Sequence, residues 1–355
     1  MLKLKRTLAF ILFLALAWGL VACDNKIPEE PSQTQSLPPS TQAATQATTQ
    51  ATNLNPLTGL PGLPAEALAQ RPLMVVVENS PKARPQWGLC SPDIIMECIV
   101  EGGISRMLWL YADSSSIPKI GPVRSARHDF VEMAEGLDAI FIHWGWSEPA
   151  KQAIKERKVD HINGLDGKYF YRDNSRKTAM EHRGYTDGQS ISRALADKNL
   201  QRPIKSQYAN LFAFAGQAYT PGDGEARGVH FEFSQSYKYE FKYKADDKLY
   251  YNHLNNKPVT QDGGQQMAVS NVLVLYCPTK VIDSQGRVDM DLSGGEGVFL
   301  SHGAYENIRW EKGNNPSDTL RLFDSAGAGL KLNPGKSYMA FVPVAQKGKT
   351  RVLGE

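Results

Sequence analysis

Arg124 and Arg127, in the run Arg124-Ser125-Ala126-Arg127, carry the strongest chemical signal in this chain. If Ser125 caps a helix running through Phe130 to Glu135, both guanidinium groups stand at a helix N-terminus, where free N–H groups and the dipole favour an anion. Cations are locally unfavourable there by ~0.3–1 kcal/mol each. A phosphate or carboxylate gripped between the two forks would make sense of them, and so would a carboxylate of the chain itself, from Asp129, Glu132 or a strand. A second group is Glu97, Glu101 and Arg106. With Gly102-Gly103 as a two-residue hairpin loop, Arg106 lies diagonal to both acids. Such a set can hold a divalent metal, exchange protons, or stand as a structural ion cluster. Arg84 and Gln86 belong to a stiff loop, Arg84-Pro85-Gln86-Trp87-Gly88, whose indole suits a sugar ring or plain packing. His143 ends an apolar stretch just before Trp144 and Trp146, placed either to line a site or to serve the core. The basic, aromatic run from Lys168 to Lys177 extends the same pocket or is solvated surface. No Gly-x-Ser-x-Gly, His-Glu-x-x-His or phosphate-loop motif accompanies these residues, so none is given a catalytic role.

The elements that must position them follow from patterning. Leu73 to Val77 is a continuous apolar run, the mark of a buried strand. Asp93 to Glu101 reads as a strand with an apolar face (Ile94, Met96, Cys98, Val100) and a mixed face carrying Glu97 and Glu101. Ile104 to Tyr111 returns as its partner, and Asp138 to His143 is another buried strand. Helices are expected from Ser125 to Glu135, from Ser147-Glu-Pro through Lys155, and from Thr186 to Lys198. After Pro221 the texture changes: Val229 to Tyr243 alternates strictly, Val272 to Tyr276 is apolar, and short strands continue to Val344. The spacing therefore predicts an α/β N-terminal domain over 54–224 and a mostly-β C-terminal domain over 225–355.

Ahead of them the chain is of a different kind. Lys3, Lys5 and Arg6 precede an apolar stretch, Leu8 to Val21, that is shorter than the ~20 residues needed to span hydrocarbon. It ends in Leu20-Val21-Ala22-Cys23, so residues 1–22 read as a signal peptide and Cys23 as the thiol that takes lipid. Residues 23–53, rich in Thr, Gln, Ser and Pro, have little to bury and read as a disordered tether spanning about 30 Å. The formal charge of +3 falls to zero once Lys3, Lys5 and Arg6 leave with the leader, which argues against a nucleic-acid partner. Cys90, Cys98 and Cys277 remain, an odd number. They are buried free thiols, or Cys90 and Cys98 bridge.

Asn55-Pro-Leu-Thr-Gly-Leu-Pro, Ala83-Arg-Pro-Gln, Glu101-Gly-Gly-Ile-Ser-Arg106, Gly121-Pro-Val-Arg-Ser-Ala-Arg127 and Asn333-Pro-Gly-Lys-Ser-Tyr together resemble the YerB family of bacterial lipoproteins. The resemblance covers nearly the whole chain past the tether. It implies a two-part envelope lipoprotein whose parts are domains of unknown function. The family tends to follow the strand at 138–143 with His-x-Gly-Gly, whereas this chain has His143-Trp144-Gly145-Trp146. The order of strand acids, Gly-Gly turn and paired arginines is also loosely similar to the LytR-CpsA-Psr transferases of wall polymers. Two functions are thus expected: a lipid-anchored protein on the extracytoplasmic face of the cytoplasmic membrane that binds an anionic or glycan ligand, with a wall or envelope component as partner, or an envelope transferase or hydrolase acting on a phosphorylated lipid or glycan. In the second, the cofactor would be a divalent metal on Glu97 and Glu101.

Overall fold

The computed structural model describes residues 53–354. The leader, Cys23 and residues 24–52 of the tether lie outside the described residues, which form one compact unit. The longer strands of the first part of the chain are β1 (Leu73–Glu78), β2 (Ile94–Ile99), β3 (Ser105–Tyr111), β4 (Ile140–His143) and β5 (His161–Asn163). Its helices are α1 (His128–Glu135), α2 (Glu148–Arg157) and α3 (Gly188–Asp197). The second part supplies β6 (Gly228–Ser234), β7 (Tyr237–Lys244), β8 (Leu249–Leu254), β9 (Asn271–Cys277), β10 (Val288–Met290), β11 (Gly294–Ser301), β12 (Ala304–Glu311), β13 (Arg321–Phe323), β14 (Ser337–Pro343) and β15 (Arg351–Leu353). Helices in the first part and strands in the second match the expected content. The long alternating stretch at 229–243 is a hairpin, β6 turning into β7.

The two parts nevertheless share one sheet. Its order is β13-β12-β11-β9-β14-β2-β3-β1-β4-β5, and β14 lies parallel to both β2 and β9. Strands of the two expected domains, 54–224 and 225–355, are thus hydrogen-bonded side by side in it. Alternation along the strands gives that sheet two apolar faces. Met74, Val76, Met96, Cys98 and Leu108 look toward α1 and α2 and meet Phe130, Val131, Ala150 and Ile154. Val75, Val77, Ile95, Met107 and Trp109 look the other way, toward Ile191 and Leu195 of α3 and the aromatic face of a smaller sheet built on β6, β7 and β8. Phe231, Phe233, Tyr239, Phe241 and Tyr338 pack there ring against ring. Each such ring buries large apolar area, so this interface is a principal source of cohesion between the parts.

Two local expectations are corrected. The turn after β2 is a three-residue loop, Glu101-Gly102-Gly103, with both glycines at positive φ (71° and 69°). Val100 then faces Ile104, Cys98 faces Arg106 and Glu97 faces Met107. This is a slip of one residue from the expected register, and it turns Arg106 to the face opposite Glu97. Ser125 is not the cap of α1: the helix starts at His128 with Arg127 as its N-cap residue and no capping side chain. The Ser125 hydroxyl instead donates to the Trp144 carbonyl at 3.1 Å. The other helices begin as their residues suggest, with Ser147 accepting from the Ala150 N–H and Asp187 from the Ser190 N–H. Cys90, Cys98 and Cys277 are all free thiols. No helix among the described residues is long and apolar enough to cross a membrane.

Candidate functional site

The C-terminal ends of the parallel strands β1, β4 and β5 lie on one edge of the main sheet, together with the start of the antiparallel β3. In α/β sheets that edge is where ligands commonly sit. The loop before α1 is laid along it by backbone bonds on both sides: Arg124 N–H donates to Val76, Val123 N–H to Gly184, and Trp144 N–H to Arg124. The sequence thus brings Arg124 beside Glu78, which ends the apolar run of β1 as a buried carboxylate, and both Arg124 and Arg127 beside Arg106, which faces Glu78 across the sheet.

Arg106 is the centre of this cluster. It is 5% exposed, its Nη1 donates to the Ser125 carbonyl at 2.7 Å, and its buried Nε has no acceptor. Burial and then the Arg127 charge pull its guanidinium down to about 9; Glu101 opposes them, and Arg124 adds to the pull. Arg127 is bound bidentately to Glu101, Nε to Oε1 at 2.5 Å and Nη2 to Oε2 at 2.8 Å. Burial raises the Glu101 carboxyl, but this fork outweighs it and holds the group below the usual carboxylate range. Arg124 Nε lies 3.3 Å from Glu78 Oε2, close enough for an ion pair, yet its N–H is not aligned on any acceptor. The separation is real attraction, but the directional bond is missing.

Glu78 is held further by Ser80 Oγ at 2.7 Å and by His182, whose Nδ1 lies 2.9 Å from both carboxylate oxygens. A carboxylate on Nδ1 fixes the imidazole orientation, and Nε2 lies 3.9 Å from Glu181 Oε1. Glu78, His182 and Arg183, whose Nε is also buried without a partner, escaped the sequence reading. Only Glu78 left a signal, as a charge closing an otherwise apolar strand. Glu78 and His182 are 104 residues apart, so no local spacing joins them.

The remaining expected site residues separate. Glu97 is fully buried on the other face, where Oε1 accepts from Asn79 Nδ2 at 2.9 Å, Tyr239 OH at 2.7 Å and Ser105 Oγ, and Oε2 accepts from Tyr338 OH. Burial raises its carboxyl despite those four bonds. With Glu97 so enclosed and Glu101 taken by Arg127, the two acids do not form the shared acidic face expected for a metal. Gln86 is interior scaffolding, its Nε2 donating to Asn79 Oδ1 at 3.0 Å and to the Glu78 carbonyl at 3.1 Å. Arg84 instead lines a separate cleft of about 420 Å³ with Pro81, Lys257 and Pro258. His143 is fully buried, with Nδ1 2.7 Å from the Gly145 carbonyl and Nε2 3.0 Å from His161 Nδ1. Burial lowers it to about 3, so it is neutral at ordinary pH and packs between the rings of Phe141, Trp146 and His161. From the basic aromatic run, Arg172 stacks on Trp144 at 4.2 Å and Arg176 on Trp87 at 3.9 Å.

Residues 57–201 match the N-terminal domain, and residues 229–339 the C-terminal domain, of a family described as "Protein of unknown function (DUF3048)". This chain belongs to that family. Among relatives of known sequence, a Bacillus subtilis (strain 168) protein named "Putative lipoprotein YerB" is 33% identical over 299 residues, covering 81% of this chain and 86% of the relative. The crystal structure of YerB protein from Bacillus subtilis superposes with a TM-score of 0.72 at 30% identity, covering 85% of this chain and all of the other. In this DUF3048 member the arginine cluster belongs wholly to the first family domain. The Glu97 network draws Tyr239 and Tyr338 from the second.

Proposed function

We propose that this protein is a lipid-anchored envelope protein, held through Cys23 on the extracytoplasmic face of the cytoplasmic membrane, and that Arg106, Arg124 and Arg127 bind a phosphate- or carboxylate-bearing ligand, such as a modified glycan. The anchor rests on Leu20-Val21-Ala22-Cys23 and is supported by the lipoprotein name of the Bacillus relative. Cys23→Ala is expected to move the protein from the membrane to the soluble fraction; sedimentation with membrane after a high-salt wash would sink that part.

One observation carries the binding site. Arg106 is buried against two like charges with an unpaired Nε, so the cluster has cationic capacity that its own acids leave unspent. An oxyanion would satisfy it through charge-assisted bonds of ~1.5–3 kcal/mol. The test is a thermal melt with phosphate and with pyrophosphate. Wild type should rise with anion and Arg106→Gln should not; a wild type indifferent to both anions removes the reading.

A second reading, an envelope transferase or hydrolase on a phosphorylated lipid or glycan, is favoured by the Glu78–His182 pair beside those arginines. There His182 would move a proton while guanidinium groups steady the phosphate. Turnover of a phosphodiester or pyrophosphate substrate by wild type, lost in His182→Gln with anion binding kept, would decide for it.

A further inference from the structure

Among the described residues, seven buried side-chain polar atoms lack a hydrogen-bond partner, and three of them are the Nε atoms of Arg106, Arg124 and Arg183. One oxyanion at Arg106 and Arg124 answers the first two. It leaves Arg183, and with it Arg172, without a counter-charge. We propose, on the reading that the arginine cluster binds an oxyanion, that its ligand carries two linked phosphate groups, a diphosphate. Arg106 holds the first group, Arg172 and Arg183 hold the second, and Arg124 stands between them.

Gly184 brings the second pair of arginines up to the first. It follows Arg183 in the chain and stands opposite Arg172 on a short antiparallel ladder. Its carbonyl accepts from the Val123 N–H at 2.8 Å, one residue before Arg124. A Cβ at position 184 would come within 2.7 Å of the Trp144 ring, so glycine lets the indole close on this ladder. Trp144 in turn donates its backbone N–H to the Arg124 carbonyl at 3.0 Å and carries the Arg172 guanidinium over its ring at 4.2 Å. The backbone of Arg124 is thus pinned to the platform under Arg172 and to the strand that bears Arg183.

The charges here repeat the pattern at Arg106. Burial and then the Arg183 charge lower the Arg172 guanidinium; Glu181 opposes them, and Arg124 adds to the pull. Arg124 is therefore felt at both Arg106 and Arg172. The acids close by are engaged elsewhere: Glu101 with Arg127, Glu78 with Arg124 and His182, and the half-exposed Glu181 lies 3.9 Å from His182. Arg172 Nη1 donates to the Met180 carbonyl, which fixes the fork without neutralising it. Like charges crowded in this way favour an anion between them. Two subsites that share Arg124 favour a linked pair of groups, because the second contact is then intramolecular.

The experiment is calorimetric titration of the mature chain with inorganic phosphate, pyrophosphate and methylenediphosphonate, whose P–C–P link resists hydrolysis. Wild type should bind both linked anions more than tenfold tighter than phosphate. Arg183→Gln, checked for folding by circular dichroism, should bring them to within about threefold of phosphate and leave phosphate itself unchanged. Arg106→Gln should weaken all three. Farnesyl diphosphate and uridine diphosphate carry the same group on a lipid and on a nucleoside, and the tightest of these and pyrophosphate names its source. A wild type indifferent to every anion removes the oxyanion reading and the diphosphate together. A wild type that binds phosphate as tightly as every diphosphate overturns the diphosphate alone, and this comparison stands even if the variants misfold. A folded Arg183→Gln that weakens phosphate and pyrophosphate equally, or neither, overturns it too.

Discussion

Glu78 and Glu97 stand at one end of the main sheet on opposite faces, and they are buried in different company. Glu97 looks toward the aromatic sheet and meets four neutral donors, two of them tyrosines from the second part of the chain. Glu78 looks toward the α1 side and meets charge: Arg124, His182 and, across the register, Arg106. In the first arrangement both carboxylate oxygens are matched, although Gln86 Oε1, one step further along the network, is buried without a donor. The second keeps unused donors at Arg106 and Arg124. Full satisfaction marks a group that holds structure together, and surplus marks one prepared for something else.

The sharpest way to break that contrast is Glu97→Ala. It takes the acceptor from three buried hydroxyls, of Ser105, Tyr239 and Tyr338, at ~1–3 kcal/mol each, so the loss in a denaturant or thermal melt should be at least ~3 kcal/mol. A loss under 1 kcal/mol would mean the network is not cohesive. Glu97→Gln adds a pH signature. The folded carboxyl is raised by burial, so its stabilising contribution is full below the unfolded carboxylate value and drains away as pH rises through the folded one. Wild type should match the glutamine variant in acid and fall behind it as pH increases; parallel curves would count against a raised carboxyl.

On the charged side, Arg127→Ala breaks a half-buried bidentate pair and should cost about 1.5–3 kcal/mol. Arg106→Gln should leave the melting temperature unchanged or higher, because a crowded cation is relieved, while abolishing any shift with phosphate. A steep fall in stability instead would place Arg106 with the structural residues. Smallest of all, Arg84→Ala should change stability by under ~0.5 kcal/mol and leave the phosphate shift intact, since Arg84 lines another cleft. Loss of the shift there would merge the two regions.

Much of the scaffold was legible because local patterns decide it. The apolar run at 73–77, the Ser147 cap and the alternation after 229 each declare an element within a few residues. The site was legible only in part. Arg106, Arg124 and Arg127 do converge, but by loop pinning rather than by a Ser125 cap, and the hydroxyl that would have capped is drawn off by Trp144. A two-glycine turn fits a two- or a three-residue loop equally well from composition. That single residue decides which face Arg106 joins. His182 and Asp289 reach their partners across more than a hundred residues, a distance at which periodicity carries no information.

The placing of β14 between β2 and β9 has a consequence in time. Strand 94–99 is synthesised well before the neighbour that seals its edge, residues 337–343. Until then an apolar strand edge stands unpaired, open to any other chain with a free edge. A chain cut short before residue 337 would retain most of its helices and the arginine loop, but with a gap at the middle of its sheet. Truncations before residue 337 should therefore aggregate rather than yield a smaller working protein.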